Sequence, residues 1–342
     1  MACFHPLQGW QTKSGKITLT PMNKDPITVP CGNCIGCRVD RARDWSIRCT
    51  HESQMHETNL FITLSYDEEN LPEHGSLNHK DFQRFIQRVR RYMDPENKIR
   101  YFMCGEYGPR GGRPHYHAIL FGVEYPDMYL WREEGNYQYF RSPTLEKHWP
   151  YGNSELTLFS TQTANYVAGY ILKKQTGPKG KRERERLIPE TGEIIELQEE
   201  YVRASNRPGI GHSWYQLYKT DLYPGDFAVM DGKKWPVPRY YDKLYKEENP
   251  EAFEEILERR IEFANCHEYD NTSHRLKQRK ECALQRHDRS IKRETLENDL
   301  ESIQRLRLSS ESLHDTVVPA PRGSGPARVR QRDQSGRSSV LR

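Results

Sequence analysis

The amino-acid sequence predicts an α+β fold in which a central antiparallel β-sheet carries helices on one side. Short runs of β-branched and aromatic residues, typical of strands, occur at residues 60–66, 99–107 and 115–122. Helical patterns follow the first run and close the region, at residues 79–93 and 163–174. Only a glycine- and proline-rich turn separates the second run from the third, which favours a hairpin and therefore antiparallel pairing.

The first strand and the first helix have clear boundary signals. Residues 60–66 read LFITLSY and run into the turn-rich sequence DEENLPEHGS. Asn78 is a good N-cap for the helix of residues 79–93, and Leu77 is spaced to pack on Phe82 as a hydrophobic staple. Apolar side chains then recur at helical spacing, so we expect one buried face and an outer face that carries arginines.

The following elements complete the sheet. The strands 99–107 and 115–122 flank the turn GPRGGRP, and a further strand is predicted at residues 155–159. Ser160 or Thr161 can cap the helix that comes next. The order of strand, helix, two strands, an insertion, strand and helix suits a sheet of the ferredoxin-like kind.

The rest of the chain is predicted to form extensions. We expect a small hairpin at residues 187–198, a helix at 250–264, and from about residue 270 a charged stretch that is either a long exposed helix or disordered. The resulting segments are a cysteine-rich N-terminal segment packed on the core (1–56), the core (57–177), a basic loop, hairpin and accessory segment (178–249), a charged helical region (250–313) and a disordered arginine-rich tail (314–342).

Two histidines and a glutamate form the first candidate site. Side chains two apart in a strand point the same way, so His115 and His117 project from one face and could bind a metal ion together. Folding about the GPRGGRP turn can bring Glu106 beside them. This mixed nitrogen and oxygen donor set suits Mg²⁺ or Mn²⁺ in a phosphate-transfer reaction. The alternative is a set of separate surface histidines and a solvated turn carboxylate.

The second candidate site is the helix of sequence TANYVAGYILKK. At about 100° per residue, Tyr166, Tyr170 and Lys173 fall on one face, opposite an apolar face. Alone, the tyrosines read as half-exposed aromatics that cover a neighbouring element. Beside a metal ion they could act as nucleophiles, with Lys173 stabilising the phenolate or protonating the leaving oxygen.

The third candidate site is the cysteine run CGNCIGC, which has the spacing of a zinc site. Its candidate ligands are Cys31, Cys34, Cys37 and, as the fourth, Cys49, with His51, Cys3 or His5 in its place. A structural or DNA-binding zinc ion is one interpretation, and reduced, buried thiols are the other.

Charge and composition limit the partners. The chain has 52 basic and 48 acidic residues, and the formal net charge of +4 is too small to indicate nucleic acid binding by itself. Basic residues nevertheless cluster, either as phosphate contacts or as solvated faces. The candidate DNA contacts are Arg84, Arg88, Arg91, Lys174, Lys179 and Lys181. No apolar run reaches the about 18 residues of a membrane span, and no signal peptide is recognisable, so we expect a soluble, intracellular protein.

Three segments, FITLSYD, RPHYHAILFG and YVAGYILKK, resemble in their order the motifs of the HUH endonucleases that initiate rolling-circle replication. The chain is most similar to the initiators of microviruses, of the gokushovirus branch, in PCGNCIGCRVDRARDWSIRC, CGEYG and RPGIG as well. The resemblance extends over roughly residues 30–220. The family places a bulky hydrophobic residue between the two histidines, and Tyr116 is a variant of it.

The resemblance implies an HUH nuclease core in which His115 and His117 hold the metal ion and Tyr166 and Tyr170 are the nucleophiles, with Glu106 as the candidate third ligand. It implies a metal-dependent nickase of viral origin DNA, single-stranded or supercoiled, that forms a 5′-phosphotyrosine and a 3′-hydroxyl primer and later rejoins the displaced strand. Such a protein would act in the cytoplasm of an infected bacterial host.

Two other functions are open at this point. One is a relaxase or single-strand transposase of the same chemistry, and the other is a non-catalytic zinc-binding protein that recognises an origin. The sequence contains no GxxxxGK[ST] loop, so we expect a host helicase to unwind the strands and a host DNA polymerase to extend the primer.

Overall fold

A computed structural model describes residues 3–12, 16–93, 98–108, 112–135, 137–173, 177–188 and 191–289. Within these ranges it leaves out the side chains of residues 170–173, 177–179 and 183. The predicted arginine-rich tail of residues 314–342 lies outside the described residues. The chain divides into two units, Met1–Leu284 and Gln285–Arg342, and the elements that follow belong to the first.

A small antiparallel sheet and a long helix form the N-terminal part. The sheet has the order β2-β1-β3. Its strands are β1 (Leu7–Gln11), β2 (Ile17–Thr18) and β3 (Ile27–Val29), and the helix α1 (Ile35–Ser53) follows them. Gly32, with a φ of 78°, turns the chain between β3 and α1 in the left-handed region that favours glycine.

The central sheet contains seven strands within the part of the chain that the structure describes, in the order β12-β5-β6-β4-β9-β8-β7. All neighbours are antiparallel. Two small hairpins, β10–β11 and β13–β14, accompany the sheet. The strands are β4 (Asn59–Ser65), β5 (Arg100–Tyr107), β6 (Pro114–Phe121), β7 (Tyr129–Glu134), β8 (Tyr137–Arg141), β9 (Ser154–Leu158), β10 (Glu185–Leu187), β11 (Ile194–Glu196), β12 (Tyr201–Ala204), β13 (Ala228–Met230) and β14 (Lys233–Trp235).

The helices connect and cover these strands. They are α2 (His79–Tyr92), α3 (Pro143–His148), α4 (Thr161–Lys173), α5 (Gly177–Arg184), α6 (His212–Leu222), α7 (Arg239–Glu248) and α8 (Pro250–Cys266), and a further helix begins at residue 273. Among the described residues, no helix combines the length and the apolar character that crossing a membrane requires.

Helices cover both faces of the central sheet. In β6, Tyr116 and Ala118 are buried with α2 and α3, whereas Ile119 and Phe121 point the other way and are buried with α1 and α4. The predicted α+β class with a central antiparallel sheet is confirmed, with one correction: helices lie on two sides and not on one. The reason is that alternate side chains of the central strands are apolar on both faces, and each face must be covered.

The predicted boundary signals are confirmed in the structure. The Asn78 side chain accepts a hydrogen bond of 3.2 Å from the backbone N–H of Lys80 and caps α2. Ser160 and Thr163 exchange hydrogen bonds at the start of α4, from Thr163 N to Ser160 Oγ (3.1 Å) and from Ser160 N to Thr163 Oγ1 (2.9 Å). This reciprocal pairing satisfies two backbone donors that a helix N-terminus otherwise leaves unpaired.

Two elements that the sequence patterns do not indicate enlarge the core. The helix α1 packs against α4, and its buried Ile47 also joins a cluster with the helices α6, α7 and α8. The short strand β12 pairs with the edge of β5, from Tyr201 opposite Gly105 to Ala204 opposite Phe102. The C-terminal helices therefore rest on α1, and the sheet extends into residues well beyond α4.

Candidate active site

The register of the β5–β6 hairpin brings the predicted metal ligands together. Glu106 lies directly opposite His115, and His117 follows two residues later on the same strand, opposite Cys104. Side chains on opposed residues of antiparallel strands share one face of the sheet. All three candidate ligands therefore point to the face that α1 and α4 cover.

The three side chains are in direct contact. Glu106 Oε1 lies 2.6 Å from His115 Nε2 and 3.2 Å from His117 Nε2. Glu106 and His117 are each only 6% exposed. Burial raises the pKa of the Glu106 carboxyl, but the hydrogen bonds and charges of the two histidines outweigh it and bring this pKa to about 2. The carboxylate is therefore ionised at neutral pH.

Oxygen atoms hold the far sides of both imidazole rings. His115 Nδ1 lies 3.2 Å from the carbonyl oxygen of Arg113, which can only accept, so this nitrogen carries a proton. His117 Nδ1 lies 3.0 Å from Thr63 Oγ1, on the neighbouring strand β4. Metal-bound histidines are oriented by such outer contacts, which turn the other ring nitrogen towards the ion.

The donor atoms fit a single divalent cation. The two Nε2 atoms and a carboxylate oxygen all lie within 4.8 Å of one another, and neither imidazole nor carboxylate needs to leave its strand to reach a common point. Two imidazoles and one carboxylate leave coordination positions open, as a metal ion that also binds a substrate requires.

Tyr166 borders this group from α4. Its ring meets the ring of His117 edge-on, with centroids 5.5 Å apart, and meets Phe61 in the same way at 5.9 Å. The side chain of Tyr166 is 44% exposed, so one part of the ring packs against the site and another faces solvent. The side chains of Tyr170 and Lys173, the other predicted catalytic residues, lie outside the described part of the structure.

The packing of α4 explains where Tyr166 lies. Ala164, Val167 and Ala168 are fully or almost fully buried against the sheet, on the apolar face that the sequence predicts. On the side of α1, Ser46 Oγ donates a hydrogen bond of 2.5 Å to Asn165 Oδ1. Tyr166, the next residue, is thereby directed along the sheet surface towards His117.

Four cysteines form a second group of donors, and one of them differs from the predicted set. The sulfur atoms of Cys3, Cys31, Cys34 and Cys37 lie within 4.8 Å of one another. The prediction that Cys49 completes this group is wrong. Twelve residues beyond Cys37, at about 1.5 Å per residue, it lies well along α1. There it is fully buried in the core between α1, α4 and the sheet.

The thiols of this group are electrostatically unequal. Burial raises the pKa of Cys34, but hydrogen bonds from the backbone N–H groups of Phe4 and Cys37 and from neighbouring thiols lower it to about 7. Burial raises the pKa of the Cys37 thiol, and the adjacent Cys34 raises it further. Neighbouring thiolates therefore disfavour one another in the absence of a cation.

The predicted DNA contacts are spread over two regions. Arg84, Arg88 and Arg91 lie on α2, which covers the opposite face of the sheet from Glu106 and the histidines. Arg88 is bound within the protein, to the carbonyl oxygen of His148 at 3.1 Å and the hydroxyl of Tyr151 at 3.3 Å.

The predicted lysine contacts follow α4. Lys181 is exposed, and its Nζ lies 3.8 Å from Glu196 Oε2. Lys174 lies outside the described residues, and so does the side chain of Lys179. The role of these basic residues in DNA binding stays a prediction.

Sequence reasoning did not single out Thr63 and Arg113 as parts of the site. Thr63 stands in the quoted motif FITLSYD, and strand alternation could have shown which way it points, but its partner depends on the β4–β6 register. Arg113 contributes a backbone carbonyl, a contact that leaves no trace in the type of side chain.

Comparisons with known proteins agree on one family. The family model for replication-associated protein ORF2 matches residues 59–175, a range that holds every predicted metal ligand and both tyrosines. Replication-associated protein VP4 of Bdellovibrio phage phiMH2K is 31% identical over 268 residues, which cover 75% of this chain and 80% of that protein. Replication-associated protein ORF2 of Spiroplasma virus 4 is 28% identical over 286 residues, covering 74% and 83%. For replication-associated protein ORF4 of Chlamydia phage 1 the identity is 27% over 228 residues, covering 64% and 53%. No solved structure shows a significant match.

Proposed function

This chain belongs to the family of replication-associated proteins of microvirus-like phages, and on that premise we propose that it initiates rolling-circle replication by cutting one strand of the viral origin with a tyrosine. The observation that carries the proposal is the position of Tyr166. Its ring packs against His117, a member of the only described group that combines imidazole and carboxylate donors for a metal ion. A nucleophile for phosphate transfer needs this proximity.

The proposed reaction is a transesterification on single-stranded origin DNA. The phenolic oxygen of a tyrosine forms a bond to the scissile phosphorus while the bond from phosphorus to the 3′ oxygen breaks. The phenol gives up its proton, and the departing 3′ oxygen takes one up. The products are a 5′-phosphotyrosine link and a 3′-hydroxyl that can prime synthesis. Because the link keeps the energy of the ester, the reverse reaction can join strands.

We assign the metal ligands to Glu106, His115 and His117, with Mg²⁺ or Mn²⁺ as the ion. When bound, such an ion would polarise an oxygen of the scissile phosphate and offset the charge that develops there. Thr63 and the carbonyl group of Arg113 hold the two imidazoles in the required orientation. The carboxylate of Glu106 lowers the net positive charge of the centre and bridges the two histidines.

The second tyrosine allows a second cut. Tyr170 lies one helical turn beyond Tyr166, so both belong to the same side of α4. After one round of synthesis, the tyrosine that is not linked to DNA would cut the regenerated origin. The released 3′-hydroxyl would then attack the first phosphotyrosine and close the displaced strand into a circle. Lys173 would stabilise the attacking phenolate or protonate the leaving oxygen.

The proposed partners follow from this chemistry. The substrate is viral origin DNA, either single-stranded or in a supercoiled duplex that opens locally. A host helicase would separate the strands and a host DNA polymerase would extend the 3′-hydroxyl. The protein would therefore act in the cytoplasm of the infected bacterium, where these enzymes are found.

A covalent adduct assay tests the proposal. Full-length protein is incubated with labelled single-stranded origin DNA and Mg²⁺ or Mn²⁺, and denaturing gels report the protein–DNA adduct. We expect adduct with the wild-type protein and with the matched control Tyr218→Phe, whose side chain is also 44% exposed but lies on α6. We expect none with the double variant Tyr166→Phe, Tyr170→Phe.

The single variants and a histidine pair extend the test. Each single tyrosine variant should still form adduct, but neither should release closed circles, because closure needs both phenols. His115→Ala with His117→Ala should abolish the adduct, whereas His274→Ala, on the exposed helix that begins at residue 273, should not. Adduct formed by the double tyrosine variant would refute the mechanism. DNA binding without any cleavage by the wild-type protein would favour the rival, a non-catalytic origin-recognition protein.

A further inference from the structure

We propose that Cys3, Cys31, Cys34 and Cys37 together bind one structural zinc ion that fastens the N-terminal sheet to the start of α1. The proposal concerns a different part of the molecule from the Glu106 group and does not depend on the reaction proposed there. Four cysteine ligands leave no open coordination position, as in zinc sites that stabilise a fold.

The spacing of the sulfur atoms matches a tetrahedral zinc site. With a Zn–S distance of about 2.3 Å, the edges of a regular tetrahedron are about 3.8 Å. Cys34 Sγ lies 3.5 Å from Cys37 Sγ and 3.9 Å from Cys3 Sγ, and all four sulfur atoms fall within 4.8 Å of one another. A disulfide would require one pair at about 2.05 Å and would not gather the other two thiols around it.

Backbone N–H groups point at these sulfur atoms. Cys31 N donates to Cys3 Sγ at 3.2 Å, Cys34 N to Cys31 Sγ at 3.4 Å, and Phe4 N to Cys34 Sγ at 3.4 Å. Such donors stabilise the thiolate form, which is the form that binds a metal ion. The left-handed Gly32 makes the tight turn between Cys31 and Cys34, so the loop already has the shape that brings both sulfurs to one ion.

The N-terminal segment has little else to hold it. In the described part of residues 3–34, Cys3 has the only apolar side chain that is buried. The large apolar side chains of this segment are exposed: Leu7, Ile17, Leu19, Met22 and Ile27. Segments of fewer than about 40 residues that lack an apolar core depend on a disulfide, a metal ion or a partner for stability. The gathered thiols offer the metal ion.

The ion would also stabilise the support of the candidate active site. Cys37 lies in the first turn of α1, and Ala42 of the same helix is buried in the cluster that contains Val167 and Ala168 of α4. Further along, Ser46 contacts Asn165 beside Tyr166. Fixing the beginning of α1 therefore fixes the surface on which α4 rests.

Metal analysis of variants tests the ligand set. Full-length protein is prepared without chelators from zinc-supplemented cells, and zinc is measured by mass spectrometry. We expect about one zinc ion per chain in the wild-type protein, in Cys49→Ala and in Cys266→Ser, whose cysteine is exposed on α8. Cys3→Ser and Cys34→Ser should lose the zinc. A Cys3→Ser protein that keeps its zinc, or a wild-type protein with none, would overturn the proposal.

Thiol alkylation of the wild-type protein gives a second reading that does not depend on the folding of variants. With zinc bound, Cys3, Cys31, Cys34 and Cys37 should react slowly with an alkylating reagent, while the exposed Cys266 and Cys282 react at once. A strong chelator should expose the four ligands and leave the buried Cys49 and Cys104 protected. Equal reactivity of the four with and without chelator, or a disulfide between any two of them, would contradict the assignment.

Discussion

The edge of the Tyr166 ring lies against the ring of His117, with centroids 5.5 Å apart and planes inclined by 87°. One residue belongs to a helix and the other to the centre of the sheet, and only the packing of α4 on α1 and β6 brings them together. The relationship joins a candidate nucleophile to a candidate metal ligand. It also makes the positions of both rings sensitive to the residues that support them.

The Thr63 hydroxyl should be required for tight metal binding. Thr63→Ala removes the oxygen atom 3.0 Å from His117 Nδ1 and frees the ring to rotate. Loss of such an outer contact typically costs about 10- to 100-fold in metal affinity or activity. Calorimetric titration with Mn²⁺ and the rate of adduct formation measure the effect. Thr63→Ser keeps a hydroxyl and should restore most of the affinity; an unchanged affinity in Thr63→Ala would show that the contact does not orient the imidazole.

Ionisation of Glu106 should make the stability of the metal-free protein depend on acid pH. Its pKa falls from 4.5 to about 2 on folding, so the unfolded chain takes up the proton first as the pH drops. The stabilisation is therefore complete above pH 4.5 and is lost towards about pH 2, by up to about 3 kcal/mol. Urea unfolding at successive pH values measures it, and Glu106→Gln should lack this part of the dependence. Parallel curves for the two proteins would contradict the expectation.

The hydrogen bond between Ser46 and Asn165 should stabilise the contact of α1 with α4. Ser46→Ala leaves the Asn165 side-chain oxygen without its donor in a site where Ser46 is 1% exposed, which costs about 1–3 kcal/mol. Ser53→Ala, which removes a local bond to the carbonyl oxygen of Thr50 on the same helix, serves as the control and should cost less. Adduct formation should slow in Ser46→Ala without loss of Mn²⁺ affinity. Equal loss of both would mean that the bond supports the whole site and not the position of α4.

Tyr116, between the two histidines, should be required for stability and not for metal binding. Its hydroxyl donates to Asn78 O at 2.8 Å and accepts from Asn78 N at 3.0 Å, on the face of the sheet opposite the site. Tyr116→Phe should lower the free energy of unfolding by about 1–3 kcal/mol, because it leaves buried backbone groups unpaired. The exposed Tyr92→Phe is the control. Weaker Mn²⁺ binding in well-folded Tyr116→Phe would refute this division between the faces.

Much of the core and its candidate site follows from local patterns. The alternation of a strand is enough to place His115 and His117 on one side and Tyr116 on the other, and the helical period is enough to bury Ala164 and Val167. Such patterns are legible because they depend on neighbours in the chain. Thr63 and the carbonyl group of Arg113 were not predictable in the same way, because their contacts depend on pairing between distant strands and on the backbone.

The cysteine group shows the limit of spacing as a guide. Cys31, Cys34 and Cys37 were recognisable from the sequence, but the choice of the fourth ligand was wrong. Cys49 continues the same cysteine-rich run, yet the straight helix α1 carries it away from the others into the core. Cys3 is distant in sequence and close in space because β1 and β3 fold the N-terminus back.

By itself, the sequence determined which segments form strands and helices, that the two histidines share one face, and that Tyr166 lies on the polar side of its helix. Only the tertiary structure decided which face of the sheet α4 covers, that Glu106 reaches both imidazoles, and that Cys3 joins the thiols. The physical reason is that the first set depends on backbone periodicity within a few residues. The second depends on strand register and on the packing of apolar faces, which distant parts of the chain decide together.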